Sequence, residues 1–272
     1  MGIHPTAIID RRAEIDASVE VGPFCVIEGN VQVGAGCRLY KGVYLTGWTQ
    51  IAPDCELHPN VIVGHTPQDT KYNGERSFCR IGRGTILREN VTIHRGTIPD
   101  SETVVGEECF FLGGSHVAHN CIVGNRVTLI NNALLGGHVE VGDRVTIGGG
   151  TPVHQFVRIG ELAMVAGGAR ISMDVPPFMM TDSLGRIVGL NRVGIRRAEL
   201  PREDVAEIRE ALRTLYGSRL PFRRAVEQLS QRLGTPSGVK LLQFLQQESR
   251  RGVAGKKRRG GEDSFDAKDR SS

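Results

Sequence analysis

From Val105 to Ile171 the chain falls into blocks of six: VGEECF, FLGGSH, VAHNCI, VGNRVT, LINNAL, LGGHVE, VGDRVT, IGGGTP, VHQFVR, IGELAM and VAGGAR, with ISMDVP following from Ile171. An apolar residue opens each block, and the fifth place holds only Cys, Ser, Val, Ala or Thr. An α-helix turns every 3.6 residues and cannot hold phase at six. Hexapeptide repeats do hold it, because they wind a parallel β-helix. The same frame starts at Ile3 and runs through Ile9, Ile15, Val21, Ile27, Val33, Leu39, Leu45, Ile51, Leu57 and Val63. It returns at Ile81, Leu87 and Ile93, and only Asp69, Glu75 and Pro99 break it.

Three hexapeptides, each a short strand and a turn, close one coil of about 18 residues. Residues 3–171 then make roughly nine coils, on the order of 45 Å long at about 4.8 Å per strand. The breaks place two loops outside the prism, at 64–80 and 95–104. Loops on a rigid scaffold often carry function.

Six cysteines, Cys25, Cys37, Cys55, Cys79, Cys109 and Cys121, are separated by 12, 18, 24, 30 and 12 residues. Every gap is a multiple of six, so all six fall on the small fifth place. They read as buried free thiols acting as small hydrophobes, which suits a reducing, cytoplasmic compartment. Glycine, 35 of 272 residues, is about twice its usual share, and aromatics are only 5%. The net charge of +4 hints at an acidic partner without requiring nucleic acid. The first twenty residues have no apolar run, so no signal peptide is expected, and no stretch is apolar for long enough to span a membrane.

Beyond Pro176-Pro177 the six-fold pattern ends, and residues 178–198 read as irregular. Helical spacing follows. One helix opens at Pro201, with Val205, Ile208, Leu212 and Leu215 on one face, and stops at Gly217. Others are expected over 221–233 and 237–250. The organisation is thus an all-β main domain over 1–190, a small α-helical domain over 191–251, and a polar tail over 252–272 that reads as disordered. The tail carries a KKRR run at 256–259.

Stacking residues one coil apart puts His119, Gly137 and Gln155 in one column. Asn120 lies with His138 in the next, and His154 lies beyond Gly136 on the other side. His116 precedes this corner on the same strand. Four histidines therefore converge near one edge, at outward or turn places. Such a cluster suits zinc binding, general base catalysis or an anionic ligand.

Several motifs go further: HPTAII at 4–9, GPFC at 22–25, PQDTKY at 67–72, VTIHRGT at 91–97, SHVAHNCIVGNR at 115–126, GGHV at 136–139, VHQF at 153–156 and DVPP at 174–177. With these, the chain resembles the UDP-N-acetylglucosamine O-acyltransferases of lipid A biosynthesis over residues 3–250. The resemblance implies a left-handed parallel β-helix, a homotrimer with active sites between subunits, and transfer of a 3-hydroxyacyl group from acyl carrier protein to the sugar 3-hydroxyl. It implies no cofactor and no metal, since the phosphopantetheine thioester is a substrate. By it, His119 matches the catalytic base and His116 a substrate-binding residue. His138 matches a contact of the sugar or the base, and His154 with Gln155 the nucleotide-sugar and acyl pocket. His94, Gln68, Asp69 and Lys71 match further substrate contacts, the last three on a loop that reaches the sugar nucleotide of a neighbouring subunit. Asn191, Arg196 and Arg197 match the stretch near uridine and phosphates, where Arg complements pyrophosphate. Gly167 matches the place that sets acyl-chain length.

Two departures stand out. Asn120 sits where many members have Asp, and Val193 replaces an acidic residue common in the family. Rival readings are another hexapeptide acyltransferase, such as the N-acyl enzyme of the same pathway, or a non-catalytic binding homologue. The N-acyl enzyme usually carries an extra N-terminal domain, whereas here the repeat begins at Ile3. A hexapeptide carbonic anhydrase is disfavoured by the close HVAH spacing.

Overall fold

The computed structural model describes residues 2–255. Its body is a three-sided prism of parallel strands, most of them two residues long. Sheet 1 begins at Ile8–Ile9, sheet 2 at Glu14–Ile15 and sheet 3 at Glu20–Val21, and each coil visits the three in turn. Residues one coil apart pair in register, as in Ile9 with Ile27, Val123 with Val141 and Ile147 with Val165. The backbone of each coil is thereby satisfied by the next.

The first place of each hexapeptide points inward. Leu87, Ile93, Leu129, Leu135 and Ile147 are fully buried there. The fifth place also points inward, and all six cysteines are free and buried. Several thiols donate to turn carbonyls of the neighbouring coil, for example Cys25 Sγ to Tyr40 O at 2.9 Å and Cys121 Sγ to Gly136 O at 3.1 Å. Burial pushes the Cys79 and Cys121 thiols up to about 12, which keeps them protonated and unreactive. The fourth place repeatedly takes positive φ, as in Asn120 (59°), Arg126 (55°), His138 (58°) and Phe156 (64°). Because plain corners share this conformation, it belongs to the fold and does not mark a site.

Two coils carry insertions. The chain leaves sheet 1 after Ile62–His65 and enters sheet 2 at Phe78–Ile81; it leaves again after Thr92–His94 and enters at Glu102–Val105. The loops are therefore 66–77 and 95–101, shorter than expected. Their ends join four-residue strands in which the fifth place, Cys79 and Thr103, is again inward. Both loops spring from the edge between sheets 1 and 2.

After the last full coil, the stretch expected to be irregular forms a hairpin, Met179–Thr181 with Ile187–Leu190, which closes sheet 3. Four helices follow: α1 (Arg192–Arg197), α2 (Arg202–Gly217), α3 (Phe222–Ser230) and α4 (Pro236–Gln246). The last two are shorter than their apolar spacing suggested. At the end of α4, Gln247 is extended and turns the chain back toward the prism. Two acids of α2 bind the start of α4: Asp204 accepts from Ser237 N at 2.8 Å, and Glu207 accepts from Gly234 N and Thr235 N at 3.0 Å. The helices are anchored through Arg158. Its Nε donates to the fully buried Asp174 at 2.8 Å, its Nη1 to Gln247 at 2.7 Å, and its guanidinium lies over Phe244 at 4.6 Å.

The expectation of a disordered tail from residue 252 fails at its start. Val253 bridges Asp174, Ala254 N donates to Asp174 O at 2.8 Å, and Ala254 is buried. Backbone pairing carries this segment, so its polar composition was a poor guide. The KKRR run and the rest of 256–272 lie outside the described residues.

Candidate active site

Six of the eight histidines lie on the edge between sheets 1 and 2, two on the edge between sheets 3 and 1, and none on the third. His119 sits at the turn after the His116–Val117 strand, with its side chain only 12% exposed. It packs more closely than a turn residue suggests. A Cβ at Gly137, one coil on, would stand 2.5 Å from the ring Cε1. Glycine there is what makes room for the imidazole. The His138 ring meets it edge-on at 5.3 Å and stacks in turn on Phe156 at 4.8 Å.

The two inserted loops converge on the two nitrogens of this ring. From the first loop, Asp69 Oδ2 comes to 3.9 Å from His119 Nε2. The resemblance implied that the Asp69 loop serves a neighbouring subunit; within this chain Asp69 already stands beside His119. It reaches His119 in the same chain, because the loop leaves the prism at that edge and folds over it. Arg95 holds the loop down. Its Nη2 donates to Tyr72 Oη at 2.7 Å and its Nη1 to Gly64 O at 2.8 Å. Gln68 and Lys71 are exposed on the same loop, and Lys71 N donates to Asp69 Oδ1 at 3.0 Å.

On the other side, Asn120 Oδ1 lies 3.0 Å from His119 Nδ1 and accepts from Thr97 N at 3.1 Å and Thr97 Oγ1 at 2.9 Å. The peptide N–H of Thr97 can only donate, so the amide atom facing it is the oxygen. That oxygen can only accept, so Nδ1 carries the ring proton. Neutral His119 therefore presents the lone pair of Nε2.

The remaining histidines extend the cluster. His94 is buried, and its ring lies 4.8 Å from His116 and 6.4 Å from His65. Burial, then the charges of His116 and His65, push His94 down to about 4, and its Nδ1 has no protein partner. His116 Nδ1 meets Thr92 Oγ1 at 2.7 Å. Burial and the neighbouring His119 lower His116, and burial, His119 and Arg250 lower His138. His65 was missed by column counting because the first insertion pairs it with His94 and the second pairs Thr92 with His116, each more than one coil away. His154 and Gln155 are exposed farther along the same edge. Arg250, also missed, reaches back after α4 to lie 4.7 Å over Phe156.

The other residues named from the sequence are not brought to this edge. Gly167 lies exposed at the turn between sheets 3 and 1. Asn191 begins α1 at the edge between sheets 2 and 3, and its amide is fully engaged: Oδ1 accepts from Gly194 N at 2.9 Å, and Nδ2 donates to Leu162 O at 2.9 Å. Arg196 and Arg197 extend from the end of α1 into solvent. Among the described residues, no group of three or more His, Cys, Asp or Glu is disposed to hold a metal ion, and no helix is long and apolar enough to cross a membrane.

Comparison with known proteins agrees with this architecture. The second-domain pattern of the UDP-N-acetylglucosamine O-acyltransferases matches residues 174–254. The acyl-[acyl-carrier-protein]--UDP-N-acetylglucosamine O-acyltransferase of Thermodesulfovibrio yellowstonii is 41% identical, covering 91% of this chain and 97% of the relative. That of Syntrophobacter fumaroxidans is also 41% identical, covering 93% and 99%. Among solved structures, the UDP-N-acetylglucosamine O-acyltransferase of Moraxella catarrhalis superposes with a TM-score of 0.88 at 35% identity, over 93% of this chain and 100% of that one. The Francisella novicida acyltransferase gives 0.90 at 30% identity, over 93% and 94%. The prism is thus a left-handed parallel β-helix like theirs. Alike in sequence over nearly the whole of both lengths, and alike in fold, this chain belongs to the UDP-N-acetylglucosamine O-acyltransferase family.

Proposed function

We propose that this acyltransferase moves a (3R)-3-hydroxyacyl group from acyl carrier protein to the 3-hydroxyl of UDP-N-acetylglucosamine, the first step of lipid A biosynthesis, with His119 as general base. The observation that carries the reading is the state of His119: Nδ1 is held by Asn120, and Nε2 makes no hydrogen bond among the described residues and faces the Asp69 carboxylate at 3.9 Å. A sugar hydroxyl is a weak nucleophile until its proton is taken as it attacks. Nε2 accepts that proton while the oxygen bonds to the thioester carbonyl carbon. The tetrahedral intermediate then expels the pantetheine thiolate, and the imidazolium returns the proton to sulfur. The imidazolium lies near the Asp69 carboxylate, which stabilises the charge developed in the transition state.

His116, His138, His154, Gln155, Gln68 and Lys71 are read as substrate contacts along this edge, with His94 behind them. Arg196, Arg197 and Gly167 stand on other edges, so a single chain does not line one pocket with all of them. A homotrimer that sets edges of different subunits face to face is the assembly this favours. Asn191 acts in this reading by capping α1 and so placing Arg196 and Arg197. The free buried thiols fit a reducing cytoplasm.

The test is direct. Purified protein is incubated with UDP-N-acetylglucosamine and a panel of 3-hydroxyacyl carrier proteins, and products are identified by mass. A 3-O-acylated sugar nucleotide is expected, and its absence across the panel would refute the assignment.

A further inference from the structure

Asn120 poses a chemical problem. A carboxylate beside a histidine is symmetric: either oxygen accepts from Nδ1–H. An amide is not. Turned the wrong way, its NH₂ would donate to Nδ1, the ring proton would move to Nε2, and the base would be lost. In serine-protease chemistry an amide in the corresponding place costs about 10⁴-fold in kcat for this reason. An asparagine can serve here only if something fixes which way it faces.

We propose that Thr97 is that device: a positioning residue that locks the Asn120 amide, through it the His119 tautomer, and so the proton acceptor of the acyl transfer. The inference rests on the general-base reading above. Thr97 is buried. Its backbone N–H at 3.1 Å and its hydroxyl at 2.9 Å both donate to Asn120 Oδ1, and a flipped amide would set an NH₂ against the N–H. Asn120 is also pinned by its own backbone, since its N donates to Thr103 Oγ1 at 2.8 Å. Thr97 belongs to the second inserted loop and Thr103 to its re-entry strand. That loop therefore has a task distinct from the first: it sets the proton on Nδ1, while the first brings Asp69 to Nε2. The replacement of a carboxylate by Asn120 is tolerated because this loop supplies two donors to one oxygen.

The experiment is a double-mutant cycle with two readouts. In the wild-type background Thr97→Val is expected to lower kcat about tenfold, the kinetic equivalent of one lost hydrogen bond, with KM for the sugar nucleotide unchanged. Thr97→Ser, which keeps the hydroxyl, restores the rate. In an Asn120→Asp background the same Thr97→Val change is expected to cost less than about twofold, because a carboxylate has no wrong orientation. Asn120→Asp itself should move the acidic limb of the pH–rate profile to higher pH by holding the imidazolium, alongside Asp69 at Nε2 and the neighbouring His138 and His116 rings. Thr97→Val should leave that limb in place.

The second readout needs no turnover. Ring ¹⁵N spectra of His119 should show the proton on Nδ1 in the wild type and, in Thr97→Val, where only the residue 97 N–H still holds Asn120 Oδ1, a shift toward Nε2–H that matches the loss of kcat. An equal loss of kcat in both backgrounds would show a merely structural role and overturn the proposal. So would a wild-type spectrum with the proton on Nε2. If the wild type transfers no acyl group at all, the proposed function fails, and the spectra still decide the tautomer.

Discussion

Asn125 and His119 occupy the same place of successive hexapeptides, one on the edge between sheets 2 and 3, the other on the edge between sheets 1 and 2. On the plain edge the turn side chains bond to the next coil. Asn125 Oδ1 accepts from Glu107 N, and Asp143 Oδ1 from Asn125 N, each at 2.8 Å. That ladder satisfies the turns and leaves nothing reactive. On the histidine edge the ladder is interrupted. Gly137 clears the space above His119, and two insertions fold over the gap. One turn geometry therefore serves as mortar on one edge and as the candidate active site on the other. The difference lies in the side chains and the insertions, since the backbone is the same.

The sharpest way to break this comparison is to truncate both residues. His119→Ala should reduce acyl transfer at least about a hundredfold, as loss of a general base does. Asn125→Ala should leave kcat unchanged and cost about 1 kcal/mol of stability. Steady-state kinetics with urea melts distinguish them, and an active His119→Ala would end the equation of this edge with the site.

Glycines give the next largest contrast. Gly137→Ala pushes its Cβ onto a side chain, the His119 ring, which can move. The expected result is a tenfold to hundredfold loss of kcat from a misplaced base, about what 1 Å of displacement costs, at nearly unchanged stability. Gly142→Ala, by contrast, meets the backbone N of Glu161 at 2.6 Å. It should cost on the order of 1–3 kcal/mol of stability while the folded enzyme keeps its rate.

Acid stability separates the two edges a third way. The folded state holds His94 neutral down to about 4, while an unfolded histidine gains its proton near 6.5. Between those values the folded chain binds fewer protons, so stability present above 6.5 is lost as pH falls toward 4. The loss expected is about 2–3 kcal/mol. Denaturant melts at pH 7 and pH 4.5 measure it, and His94→Gln should flatten the difference.

The last test concerns the edge between sheets 3 and 1. In the proposed reading, in which Gly167 sets the acyl-chain length, a fourteen-carbon 3-hydroxyacyl donor should outcompete a ten-carbon one. Each buried methylene contributes about 0.8 kcal/mol. A Cβ at 167 meets only Gly149 backbone, at 3.4 Å, so Gly167→Met should fold and reverse the order. Competition between the two donors decides it, and a wild type preferring ten carbons would remove Gly167 from the account.

Much of this molecule was open to reading in one dimension, for a physical reason. A β-helix repeats its environment every six residues, so phase alone assigns inside and outside. The inward cysteines, the aliphatic core and the stacking of His119 on Gly137 all followed from counting. Counting failed where the repeat was interrupted. The two insertions changed the distance between paired residues, which hid His65 and detached Asp69 from the edge it covers. Period also says nothing of contacts between elements far apart in the chain. Thr97 on Asn120, Arg95 on Tyr72, Arg250 on Phe156 and the return of 252–255 to Asp174 depend on where loops and termini come to rest. Periodicity decided which residues face which way, because backbone hydrogen bonding between coils enforces it. The state of His119 was decided only by the folded loops, because a histidine tautomer depends on hydrogen bonds from residues that no repeat relates to it.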